Sequence, residues 1–265
     1  MLPYPQIDPV LLRLGPLQVR WYGLMYVLGF IASYHLVRHQ IKRYNLTGLA
    51  KHFENLNLVL IISLVVGARL GYVLFYNPAY YLANPQDILA TWQGGMSFHG
   101  ALAGMLAGGL IFCRVTGLPF WQTADIYIIT TPIGLGLGRI GNFINGELYG
   151  RMSDVPWAMV FPAGGPLPRH PSQLYEAFLE GVVLFSLLWL LKNQYWRRRW
   201  PTGSLLALFL LLYAFFRILV ECFRQPDAQL GFLFNFFTMG QLLSSLMIAT
   251  GLLILVFRRK SGGPA

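Results

Sequence analysis

Charge is what this sequence has least of. Only 11% of its 265 residues are Asp, Glu, Lys or Arg, while 55% are hydrophobic; an ordinary soluble domain carries about 25% charged residues. A chain this poor in charge cannot cover itself in water. A soluble globular class is therefore excluded and a polytopic membrane protein is indicated, in keeping with a mean hydropathy of +0.52. Acidic residues are scarcer than basic ones, 10 against 20, for a net charge of +10. A nucleic-acid binder would gather its basic residues on one soluble face. No soluble domain is visible, so the excess charge is referred to the membrane and no nucleic-acid partner is expected. Cysteine is nearly absent: Cys113 and Cys222 both fall in apolar stretches, where a free cysteine behaves as a small buried hydrophobe. Cys and His nowhere take metal-ligand spacing. Low-complexity tracts are lacking. "MLPYPQIDPVLLRLGP" has no basic region followed by an apolar run, so no cleavable signal peptide is expected.

What is present is a series of long apolar runs. A spanning helix needs about 20 mostly apolar residues, and seven segments qualify, at about 20–38, 57–76, 98–116, 121–140, 173–191, 203–222 and 239–257. The fold class expected is all-α, seven transmembrane helices in a single transmembrane domain over 1–265. Loop charge sets orientation. Alternate loops place Arg38, Lys42, Arg43, Lys51, Arg114, Lys192, Arg197, Arg198, Arg199, Arg258, Arg259 and Lys260 on one side. Only Arg13, Arg20, Arg139, Arg151, Arg169 and Arg224 fall on the other. The N-terminus is thus expected outside and the C-terminus in the cytoplasm. The longest outer loop, about 141–172, would form a small extracytoplasmic head.

Arg69 in "VVGARLGYV" and Arg217 in "YAFFRILVE" lie within spans. An arginine there costs at least about 2.5 kcal/mol on insertion scales and usually has a function. In this topology Arg69, Arg139 and Arg217 sit in the outer halves or ends of three different spans. Three cations at similar depth repel unless an anion joins them. Glu147, Glu176, Glu180, Glu221 and Asp227 are candidates within the chain; an anionic ligand is the other possibility, since the guanidinium fork suits phosphate. Tyr213, Arg217, Glu221 and Arg224 are spaced four, four and three and share a helical face. An Arg217–Glu221 pair could also be a simple helix tie. His99 follows a glycine-rich turn at the outer end of its span and is a suitable general base. Gly100, Ala103, Gly104, Ala107 and Gly108 read as a close-packing seam. In "RHPSQLYEAFLEG", Pro171 and Ser172 are helix-start signals; Gln173 and Tyr175 could face the outer site.

The stretch "GLGLGRIGNFINGELYGR" (134–151) contains G-x-G-x-x-G at Gly136, Gly138 and Gly141. A dinucleotide turn needs a preceding strand and a following helix with an acid about 20 residues on. What precedes is a membrane span with a proline, so that reading fails. A packing seam accounts for Gly134, Gly138 and Gly141. It leaves Arg139, Asn142, Asn145, Glu147 and Arg151, clustered at the membrane edge, without an explanation.

"GRIGNFINGELYGR" resembles the signature of the prolipoprotein diacylglyceryl transferases of bacterial inner membranes. So do "WYGLMY" (21–26), "GARLGYVLFYN" (67–77), "GGMSFHG" (94–100), "RHPSQLYE" (169–176), "FRILVECFRQPDAQ" (216–229) and "MGQLLS" (239–244), in order along nearly the whole chain. The loop between Pro162 and Arg169 is short for the family. The resemblance implies a multi-pass enzyme of the bacterial cytoplasmic membrane with its active site on the extracytoplasmic side. Its partners would be phosphatidylglycerol, prelipoprotein signal peptides and membrane lipids. It would move the diacylglyceryl group of phosphatidylglycerol to the lipobox cysteine thiol, forming a thioether and releasing glycerol phosphate, with no metal or other cofactor. On this reading His99, or alternatively Glu147, is the base; Arg139 and Arg217 hold phosphate and neutralise the leaving group. Tyr22, Tyr26, Asn142, Gly150, Gln173, Tyr213, Glu221 and Arg224 are assigned to substrate binding. Arg69 is open between binding and structure. The rival class is a transporter or channel for an anionic solute, which the same arginines would suit. Against it, "ARLGYV" and "GRIGNF" share only Arg-x-Gly, too little for the repeated halves common in transporters.

Overall fold

The computed structural model describes residues 2–15, 17–91, 94–225, 238–259 and 263. The chain is a largely helical membrane protein. Among the described residues five helices are long and apolar enough to cross a membrane: Thr47–Phe75, Phe98–Thr116, Ser172–Arg197, Ser204–Glu221 and Met239–Arg258. The other two expected spans differ from this pattern for identifiable reasons. Helix α1 (Trp21–Arg43) is long enough, but its second half carries His35, Arg38, His39, Gln40, Lys42 and Arg43. The segment 121–140 breaks into α5 (Phe120–Ile128) and α6 (Thr131–Ile144), with Pro132 in the first turn of α6. Proline has no N–H to donate and its ring collides with the carbonyl four residues back, so the helix cannot run through. The chain also opens on an element absent from the all-α expectation. Strands β1 (Val10–Leu14) and β2 (Leu17–Arg20) form an antiparallel hairpin that leads directly into α1.

The chain forms two compact units, one of residues 1–37 and 124–265, the other of 38–123. The smaller unit is built on α2 (Thr47–Phe75) and α4 (Phe98–Thr116). Between them lie the short α3 (Pro78–Ala83) and a 3₁₀ turn, Pro85–Leu89. The helices α2 and α4 touch backbone to backbone. A Cβ added at Gly67 would lie 2.7 Å from Gly104 Cα, and one at Gly71 would lie 2.7 Å from Gly100 Cα. With no apolar driving force in lipid, such close approach is what holds membrane helices together. The Ser97 side chain caps α4 by accepting from Gly100 N at 3.2 Å, and Ser97 N donates to Ala68 O at 2.9 Å, tying the start of α4 to α2.

In the larger unit, α7 (Ser172–Glu176), a π-helical turn (Ala177–Val183) and α8 (Leu184–Arg197) form one continuous rod. It packs with α9 (Ser204–Glu221) around Leu184, Leu188, Tyr195, Leu205, Phe209 and Phe216. Asp125 of α5, fully buried, accepts from Gly203 N at 2.6 Å and Leu206 N at 2.9 Å. It thereby satisfies amides that the start of α9 would otherwise leave open. Helix α10 (Met239–Arg258) starts with a capping box between Thr238 and Gln241 and lies along α9. The glycines of 134–141 serve two neighbours. Gly136 abuts Gly181 of the π turn, and Gly141 abuts the Tyr22 ring of α1. The segment after α6 forms the head, packed on Phe143, Met159 and Phe161 with Tyr4 against them. Burial raises the Tyr4 hydroxyl above its usual range.

Candidate active site

Three arginines meet on one carboxylate. Glu176, at the end of α7, is fully buried. Its Oε2 lies 3.2 Å from Arg139 Nε of α6. Its Oε1 pairs with Arg217 Nη1 of α9 and, at 3.1 Å, with Arg224 Nη1 just beyond α9. Glu180, one helical turn on and also fully buried, is 3.8 Å from Arg139 Nη2. Glu221 pairs with Arg217 Nη2 at 2.9 Å. The cluster thus holds three guanidinium and three carboxylate groups. The Tyr213 hydroxyl interacts with both Arg139 and Glu180. Arg139 keeps 20% of its side chain exposed and Arg217 13%, while Arg224 keeps 8%, so the first two are the accessible cations.

The local sequence explains the convergence. Tyr213, Arg217 and Glu221 recur at four-residue spacing and line one stripe of α9, as do Glu176 and Glu180 on the rod facing it. The π turn that begins at Ala177 shifts the phase of the rod between those two carboxylates; such turns are frequent at functional sites. The Gly136–Gly181 contact brings α6 close enough for Arg139 to reach both. Gly240, at the start of α10, packs on the Glu221 carboxylate, leaving no room there for a side chain.

A second polar group lies on the head side of α6. Asn142 Nδ2 and Asn145 Nδ2 donate to Glu147 Oε1 at 2.8 and 3.0 Å. Gln173 Nε2 donates to the Glu147 carbonyl at 2.6 Å. The Glu147 side chain is exposed, and Asn142, Asn145, Glu147 and Gln173 form one hydrogen-bonded set. Tyr22 and Tyr26 of α1 have hydroxyls 3.0 Å apart, and Tyr26 lies within the field of Arg139.

Gly150 belongs to the architecture of the head. Gly150 N donates to His170 O at 2.8 Å, Arg151 N to Phe223 O at 2.8 Å, and His170 N to Arg151 O at 3.0 Å. A Cβ at Gly150 would lie 2.5 Å from Phe223 O and 2.7 Å from His170 Cβ. This three-way seam fixes the backbone of Arg224, whose carbonyl also accepts from Arg151 Nε at 3.0 Å. Arg169 braces the head through Gly164 O, Gly150 O and Gln225 Oε1. Burial holds the His170 imidazole below its usual range.

The remaining site candidates lie in the smaller unit. Arg69 of α2 is buried, and its donors go to backbone carbonyls of the following loop. Nε reaches Ile88 O at 2.8 Å; Nη1 reaches Gly94 O at 2.6 Å and Gly95 O at 3.0 Å; Nη2 reaches Asp87 O at 2.6 Å. Its guanidinium also lies over the Tyr81 ring. These bonds account for Arg69 structurally: it fastens the loop that leads into α4. His99 is exposed in the first turn of α4. Asp227 lies outside the described residues. The sequence offers Glu176, the hub, and Glu180 only as possible partners for the arginines; the four-residue spacing in "YEAFLEG" is the signal it carries.

The sequence profile described as prolipoprotein diacylglyceryl transferase matches residues 9–257. Several relatives bear the name phosphatidylglycerol–prolipoprotein diacylglyceryl transferase. That of Desulfotalea psychrophila is 60% identical over 256 residues, covering 96% of this chain and 94% of its own. That of Geobacter sulfurreducens is 52% identical over 261 residues, 98% and 99% of the two chains. That of Pseudomonas aeruginosa is 50% identical over 267 residues, 100% and 99%. With a profile match along almost its whole length and relatives at these identities, the chain belongs to the prolipoprotein diacylglyceryl transferase family.

Proposed function

We propose that this protein transfers the diacylglyceryl group of phosphatidylglycerol to the thiol of the lipobox cysteine in prelipoprotein signal peptides, releasing glycerol phosphate. The observation that carries the reading is the convergence of Arg139, Arg217 and Arg224 on Glu176, in a chain whose relatives are named for this reaction. In the reaction the thiol loses its proton and the thiolate attacks the glyceryl carbon that carries the phosphate ester. The C–S bond forms, the C–O bond breaks, and the departing phosphate oxygen takes a proton. Only the thiolate is a good nucleophile, and the leaving group gains charge as the bond breaks. Arg139 and Arg217, the more accessible cations of the cluster, bind the phosphate and stabilise that charge. One such donor is worth about 3 kcal/mol, or roughly a hundredfold in rate.

His99 is proposed as the base that takes the thiol proton, on the chemistry of its side chain and its exposure; Glu147 is the second candidate, with one oxygen held by Asn142 and Asn145. Tyr22, Tyr26, Asn142, Gln173, Tyr213, Glu221 and Arg224 are proposed to shape the lipid and peptide positions, Glu221 by orienting Arg217. Gly150 acts through the head seam. The chain is proposed to cross the bacterial inner membrane seven times, with its N-terminus and active site outside and its C-terminus in the cytoplasm. The unequal loop charge supports this orientation. The anionic-solute transporter reading is not favoured by the family match.

The test is transfer by the purified protein to a lipobox peptide, followed by the peptide's mass. Phosphatidylglycerol should give the diacylglyceryl adduct and phosphatidylcholine should not. Arg139→Ala and Arg217→Ala should each lose about a hundredfold or more; near-normal turnover in both folded variants sinks the phosphate role. His99→Gln retaining most activity removes His99 as base and leaves Glu147.

A further inference from the structure

Glu180 is a member of the cluster to which the reaction above gives no role. It is fully buried, and its carboxyl oxygens meet Arg139 Nη2 at 3.8 Å and the Tyr213 hydroxyl, with no contact at close hydrogen-bond geometry. The groups facing it are Arg139 from α6, with Nη2 at 3.8 Å, Tyr213 and Arg217 from α9, and Glu176 on its own rod. Glu176, by contrast, takes all three arginines at close range. With every group ionised, the three arginines are balanced by Glu176, Glu180 and Glu221. A phosphodiester entering this cluster carries one negative charge and leaves the buried set one negative charge in excess. A buried charge without close partners is costly, and Glu180 is the carboxylate least compensated by its neighbours.

We propose that Glu180 takes up one proton when an anionic phospholipid headgroup enters the arginine cluster, so that the occupied site is electrically balanced. The inference rests on the reading above that the phosphate binds Arg139 and Arg217. The Tyr213 hydroxyl suits both states: its O–H can donate to a carboxylate, and its oxygen can accept from a protonated carboxyl. Glu180 is here a charge-balancing residue that acts through the arginines, without touching the reacting atoms.

The experiment measures the KM for phosphatidylglycerol, as a mole fraction in phosphatidylcholine–detergent micelles, for the wild type and Glu180→Gln between pH 6 and 9. The wild-type KM should rise with pH where Glu180 must be protonated for tight binding, with a limiting slope of about tenfold per pH unit for one proton. Glu180→Gln, a permanently neutral isostere, should hold a low KM with a flattened pH dependence. A wild-type KM independent of pH overturns the proposal, as does a Glu180→Gln KM that is raised or that tracks the wild type. If the variant fails to fold, proton uptake is read on the wild type alone in weakly buffered micelles containing a pH indicator. Uptake on adding phosphatidylglycerol, and none on adding phosphatidylcholine, supports the proposal; none with either overturns it. Absence of transfer by the wild type at every pH is a different failure, that of the underlying reaction.

Discussion

Replacing Glu176 by Gln preserves the shape of the side chain and removes its charge. In the native cluster one oxygen of Glu176 takes Arg217 and Arg224 and the other takes Arg139. A glutamine offers one acceptor oxygen and turns an amide N–H₂ toward at least one guanidinium. The cluster passes from balanced to one positive charge in excess, within a site where Glu176 itself is fully buried. Removing one partner of a buried ion network costs about 3–5 kcal/mol. For a chain of this size each kcal/mol moves the thermal midpoint by about 2–4 °C, so Glu176→Gln should lower the apparent midpoint in detergent by roughly 10 °C. Glu221→Gln removes only the 2.9 Å pair with Arg217 and should cost clearly less. Unfolding followed by the far-ultraviolet circular dichroism of the helices reads both variants; a thiol-reactive dye does not serve, because Cys222, expected from its apolar setting to be buried, is exposed in the folded chain. If Glu176→Gln melts within 2 °C of the wild type, Glu176 is not the hub of the cluster and the electrostatic reasoning is wrong.

Arg69→Lys should fail to replace Arg69, because an ammonium on a flexible stem cannot reach four carbonyls set around a planar fork; limited chymotrypsin digestion between residues 76 and 98 should accelerate. Gly67→Val should separate α2 from α4, since a Cβ already falls 2.7 Å from Gly104 Cα; the thermal midpoint should drop while Gly48→Ala, with its nearest neighbour at 3.7 Å, stays close to the wild type. Gly150→Ala should break the head seam and displace Arg224. Transfer should fall at least tenfold, with the far-ultraviolet circular dichroism of the helices retained.

Much of the helical layout was legible from hydropathy. The segments 98–116, 203–222 and 239–257 lie within one residue of helices that are long and apolar enough to span, whereas 57–76 falls inside a helix that begins ten residues earlier, at Thr47. The segment 121–140 has the composition of a span, yet Pro132 divides it, because composition does not register the missing amide. The β1–β2 hairpin leaves no mark in the hydropathy, since two short strands joined through Gly15, with φ +60°, are too brief for a periodic signal. The cost of intramembrane arginine points to Arg69 and Arg217, and similar depth adds Arg139; the structure brings Arg139 and Arg217 together on Glu176. The same cost could not distinguish Arg69, whose hydrogen bonds are set by where the carbonyls of residues 87–95 fall. Glu176 was masked by a simpler explanation: in sequence it reads as the first turn of a helix after Ser172. Its meaning depends on the rod lying against α6 and α9, which is a tertiary fact.

The central claim is that the lipid phosphate is held by the arginines around Glu176. The direct measurement is a structure of the protein with phosphatidylglycerol bound, solved in a lipid nanodisc by electron cryomicroscopy. The account predicts phosphate oxygens about 2.7–3.2 Å from guanidinium nitrogens of Arg139 and Arg217, with Glu176 still joining the two helices. A phosphate bound elsewhere, with the Arg139 and Arg217 guanidinia contacting only Glu176, Glu180 and Glu221, would contradict it.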